Sequence, residues 1–72
     1  MNETAKFIFE QTGSLVLNKK QVAKLINKSV SFIDAAIHQN RLEKIPKFTK
    51  NGGMLDFKIV DVASYIEGRY EN

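Results

Sequence analysis

The chain has 72 residues, 43% of them hydrophobic and 26% charged, with no cysteine and a net charge of +3. That suits one globular domain with a small core and excludes disulfides, thiolate metal sites and a second lobe. No apolar run approaches the roughly 18 residues of a membrane span.

Residues 3–12 fit two patterns. Ala5, Ile8 and Phe9 have helical spacing, whereas Ala5, Phe7 and Phe9 have strand spacing. A short helix stopped at Gly13 is the preferred reading. Phe7, Ile8 and Phe9 are then three adjacent large apolar residues that one short element cannot bury together. They are candidates for a dimer interface or a partner contact. Residues 15–17 read as a brief extended connector.

Residues 18–27 give the clearest helix. Asn18 is the cap, Gln21 completes a capping box, and Leu17 can staple onto Val22. Val22, Leu25 and Ile26, with Ala23 beside them, form the apolar stripe, leaving Lys19, Lys20, Lys24 and Lys28 largely to solvent. Asn27 suits a left-handed helix stop. Ser29 can cap a second helix over 30–40, and Ser31 with Asp34 offers a further capping-box start. Its inner stripe is Ile33, Ala36 and Ile37. Two short helices separated by so short a break form a helix-turn-helix.

Leu42, Ile45, Pro46 and Phe48 then read as extended, with Pro46 holding Ile45 out of helical geometry. Asn51, Gly52 and Gly53 make a turn, and 54–57 returns as a second strand; Asn-Gly between β-compatible runs signals a hairpin. A last helix is predicted over 60–70, with Val62, Tyr65 and Ile66 on its apolar face and Asp61 in its first turn. The expected fold is therefore mainly α with a small β-hairpin, a winged helix-turn-helix over 17–72 preceded by a short helix or arm over 1–16.

Charge is unevenly spread. Residues 19–58 hold nine basic and three acidic side chains, a local excess of +6, while the rest holds two basic and five acidic, or −3. A localised basic block is what a polyanion-binding surface requires. Catalysis finds no support: His38 is the only histidine and has no second ligand type at metal spacing. Asn51-Gly52-Gly53 lacks the phosphate-loop pattern. No enzyme activity, cofactor, metal or small-molecule substrate is expected. The amino-terminal stretch MNETAKFIFEQTG lacks the basic start and long apolar run of a secretory signal, so the expected location is cytoplasmic.

Several motifs resemble one family in order and spacing. These are Leu17, the run Val22-Ala23-Lys24-Leu25-Ile26, Ser29 and Ile33, then Ile45-Pro46-Lys47-Phe48, Gly52-Gly53, Phe57, and Asp61-Val62-Ala63-Ser64-Tyr65-Ile66. Together they resemble small winged-helix proteins of phage and mobile elements, the excisionases and AlpA-like regulators, related to the DNA-binding domain of MerR-type regulators. The stretch FIFEQTG ahead of this domain is also similar to pyocin-activator-type regulators. The family often carries arginines or tyrosines on the outer face of its second helix, where this chain has Val30, Ser31, Asp34, Ala35, His38 and Gln39. Asn40 stands where glycine is frequent, and 41–44 is one or two residues longer than usual.

The helix over 30–40 would enter the major groove of double-stranded DNA. Ser31, Asp34, Ala35, His38 and Gln39 are the candidate base readers. Lys19, Lys20, Lys24, Lys28, Ser29 and Arg41 are candidates for phosphate contacts. Lys47, Lys50, Asn51, Gly52, Gly53 and Lys58 belong to the wing, at the adjacent minor groove. The resemblance implies cooperative binding on DNA and a role as transcriptional regulator or as excisionase beside an integrase or recombinase. A different expectation is a small protein-binding module that docks a partner through Phe7 and Phe9.

Overall fold

The computed structural model describes residues 2–68. In chain order it contains helix α1 (Glu3–Thr12), strand β1 (Val16–Leu17), helices α2 (Lys19–Leu25) and α3 (Val30–His38), and a 3-10 turn (Leu42–Lys44). Strands β2 (Thr49–Asn51) and β3 (Met54–Lys58) and helix α4 (Ile59–Ile66) follow. The architecture is mainly helical, with a small three-stranded antiparallel sheet in the order β1-β3-β2.

Helical spacing wins in the first segment. The Asn2 side chain caps α1 by accepting from the Ala5 backbone N–H at 2.7 Å. Gly13 ends it at φ 70°, a left-handed conformation that glycine adopts without a Cβ penalty. Ala5 and Ile8 are buried. Because each helical residue turns about 100° from the last, Phe7 and Phe9 face elsewhere and are 57% and 38% exposed. The expected three-residue contact surface is thereby corrected: Ile8 is a core residue.

The connector over 15–17 turns out to be a strand. Val16 pairs with Lys58 and Leu17 with Phe57, so the sheet has one strand more than a hairpin. Leu17 is buried beside Phe57, which explains why so short a strand is held.

In α2 the capping box is complete. Gln21 N–H donates to Asn18 Oδ1 at 2.8 Å, and Asn18 N–H donates to Gln21 Oε1 at 2.9 Å. The helix stops because Asn27 takes φ 59°. Lys28 N–H then reaches back to the Ala23 carbonyl and Asn27 N–H to that of Lys24, a Schellman closure. Ser29 starts α3, its Oγ accepting from Phe32 N–H at 3.0 Å. The Ser31–Asp34 capping box does not form, since both residues lie inside the helix. Helix α3 stops at His38, two residues short of the expected end. Asn40 at φ 56° closes it as Asn27 closes α2, with Arg41 N–H on the Ala36 carbonyl at 2.7 Å.

The stretch expected to be extended from Leu42 instead starts as a 3-10 turn, closed by Ile45 N–H on the Leu42 carbonyl. Extension begins at Ile45 (φ −135°, ψ 160°), the geometry that a following proline imposes. In the β2–β3 hairpin Asn51 pairs with Met54. The turn is therefore centred on Gly52-Gly53 and not on Asn51-Gly52. Of that pair only Gly52 has positive φ, 66°, the type II′ pattern that suits strand twist. Phe57 is fully buried and meets the Phe48 ring at 5.7 Å between centroids.

Helix α4 buries Ile59, Val62 and Ala63. It ends at Ile66, which is 45% exposed and so leaves the apolar face assigned to it from sequence. The expected continuation of this helix to Tyr70 falls partly outside the described residues. Among the described residues no helix is long and apolar enough to cross a membrane.

Candidate nucleic-acid interface

Helix α3 has two distinct faces. Ile33 and Ala36 are buried, with Ile37 half-buried beside them. Ser31, Asp34, Ala35 and His38, spaced i, i+3, i+4 and i+7, are all exposed and share the opposite face. The five candidate readers thus divide: four lie along one stripe, and Gln39 is exposed just past the helix end. Ala35 offers this stripe a methyl group and no hydrogen bond.

The two-helix unit carries several basic side chains. Lys20, Lys24 and Lys28 are exposed, and Arg41 is exposed after α3. Two of the cations expected to contact phosphates already have protein partners. Lys19 Nζ lies 2.6 Å from Asp34 Oδ1, joining the first turn of α2 to the second turn of α3. Lys28 Nζ sits 5.2 Å from the centre of the Phe32 ring, a cation–π arrangement that fixes the ammonium beside the start of α3. The Ser29 hydroxyl is engaged as the α3 cap, with its proton still free to donate.

The hairpin carries a second group. Lys50, Asn51, Gly52 and Gly53 are exposed at its tip. Register puts Lys50 opposite Leu55, on the sheet face that also carries Phe57, while Thr49 and Asn51 share the other face with Asp56 and Met54. Lys58 is exposed, yet it ends β3 opposite Val16 and precedes α4, at the foot of the hairpin. Lys47 is exposed just before β2. An apolar groove of about 690 Å³ is lined by residues of the segment between α3 and the hairpin, Leu42, Pro46 and Phe48 among them, and by Lys50.

Among the described residues no charged or polar side chain is buried, and no group of acidic residues and histidine could hold a metal ion. The polar chemistry lies on the outside of the fold. Such an arrangement can offer hydrogen bonds and positive charge to a large, extended ligand.

Three features of this surface escaped sequence reading. The Lys19–Asp34 pair links residues 15 apart in the chain and leaves no local signal. The Lys28–Phe32 contact has the i, i+4 spacing that helical neighbours use, although Lys28 itself precedes the helix. Tyr65, placed in the core from sequence, is half-buried with its hydroxyl on the Lys44 carbonyl at 2.7 Å. Comparison with protein-family models, with curated proteins and with solved structures returned no match.

Proposed function

We propose that this chain is a small cytoplasmic double-stranded DNA-binding protein built as a winged helix-turn-helix. Helix α3 enters the major groove and the β2–β3 hairpin serves as the wing at the neighbouring minor groove. The observation that carries this reading is the exposed stripe Ser31, Asp34, Ala35 and His38 on α3, together with exposed Lys20, Lys24 and Lys28 on and just after α2 and Lys50 near the hairpin tip. Ser31, Asp34 and His38 offer hydrogen-bonding groups that base edges can meet, Ala35 offers a methyl group, and lysines match phosphates. The left-handed turn at Gly52 supports the wing, since a tip without side chains lets backbone approach a groove closely. Regulation of a promoter and assistance to an integrase or recombinase both use this same surface. Titration of a labelled random duplex at several salt concentrations tests the reading, because phosphate contacts make affinity fall steeply with salt.

A second reading rests on one further observation. Phe7 and Phe9 stay exposed at 57% and 38% on a helix that otherwise packs well. They suit self-association on DNA or docking of a protein partner. Analytical ultracentrifugation of the native chain against Phe7→Ser separates these roles from a purely monomeric one.

A further inference from the structure

We propose that the Lys19–Asp34 ion pair is the selectivity element of this surface. In it Asp34 reads a cytosine amino group and Lys19 positions and neutralises the carboxylate. The inference rests on the DNA-binding reading above.

Asp34 is the only acid on the exposed stripe of α3. An uncompensated carboxylate there would repel every phosphate near it. Lys19 removes that penalty by holding Oδ1 at 2.6 Å. Both side chains stay well solvated, at 35% and 54% exposure, so the pair contributes little to folding and is not needed as a strut. Its geometry leaves useful capacity. Among the described residues Oδ2 receives no hydrogen bond, and a carboxylate oxygen is the acceptor that pairs with a cytosine N4 donor. A lysine ammonium has three protons, and one contact to Oδ1 leaves two to reach a phosphate. The unit therefore spans backbone and base. It adds no net cation to the interface, which holds non-specific affinity down while a matched base pair is rewarded.

Removing either partner has a distinct signature. Asp34→Ala turns Lys19 into an additional free cation. Asp34→Asn keeps shape and one acceptor but adds two donors, the set that pairs with adenine. Lys19→Ala leaves the carboxylate unneutralised.

The test combines selection from a random duplex library with random-duplex titrations at several salt concentrations, using the full chain and these exposed-residue variants, each checked for helical content by circular dichroism. The native chain is expected to enrich a C·G pair at one fixed position. Asp34→Asn is expected to move that preference to A·T, and Asp34→Ala to lose it there alone. Asp34→Ala should also steepen the log–log salt dependence by about 0.9. Lys19→Ala should bind random duplex more weakly than the native chain. An unchanged enriched pool and unchanged salt slope in Asp34→Ala, with native binding intact, would overturn the inference and leave the DNA-binding reading standing. Absence of salt-dependent binding by the native chain would remove both.

Discussion

The Tyr65 hydroxyl donates to the Lys44 carbonyl oxygen at 2.7 Å. This contact ties α4 to the last residue of the 3-10 turn between α3 and the hairpin. Tyr65→Phe keeps the ring and removes the hydroxyl that satisfies Lys44. The expected loss is about 1 kcal/mol, which in a domain this small lowers Tm by roughly 4–8 °C. Thermal melting followed by circular dichroism checks it. An unchanged Tm would mean that water replaces the bond at no cost.

Adjacent residues in α1 should behave in opposite ways. Ile8 is 1% exposed and packs in the core, whereas Phe7 is 57% exposed. Ile8→Ala is expected to cost about 2–5 kcal/mol, a large share of the stability of so small a chain. Phe7→Ala should stay within about 0.5 kcal/mol. Urea titration of both variants reads the difference, and equal costs would contradict the helical register of α1.

The two glycines of the hairpin are not equivalent. A Cβ on either would meet nothing within 4 Å, so space does not distinguish them. Backbone conformation does, since Gly52 has φ 66° and Gly53 lies outside the left-handed region. Gly52→Ala is expected to cost about 1–2 kcal/mol, and Gly53→Ala to be near neutral. Chemical denaturation of the pair decides this, and a larger cost at Gly53 would reverse the assigned turn.

Much of the fold was legible where a local rule decides it. The Asn18–Gln21 box, the left-handed stops at Gly13 and Asn27, and the Ser29 cap are short-range hydrogen-bonding problems with few solutions. The β1 strand was not legible, because two residues gain strand character only from a partner about 40 residues later. Leu42–Lys44 misled for the opposite reason: its 3-10 bonds are local, but its residues carry no turn signature. On the surface, helical spacing alone placed Ser31, Asp34, Ala35 and His38 on one exposed face. Lys19 and Asp34 carry no local sign of pairing in the sequence, and only tertiary packing brings them together.

Lysine contributions should be separable by salt dependence. Lys24 and Lys50 are exposed, on α2 and on the hairpin respectively. Lys24→Ala and Lys50→Ala should each reduce the log–log salt slope by about 0.9 and weaken binding to all duplexes alike. Fluorescence anisotropy with two unrelated duplexes is the measurement. A loss confined to one duplex would contradict a phosphate role.

A proposed surface for double-stranded DNA, formed by the two-helix unit and the hairpin together, can be probed by titrating the native chain into a labelled random duplex from low to physiological salt. If Lys20, Lys24, Lys28 and Lys50 each meet one phosphate, the log–log slope is roughly −3 to −4. Binding at low salt that weakens with about that slope is the expected result. No binding at low salt, or binding indifferent to salt, would mean that this surface does not hold duplex DNA.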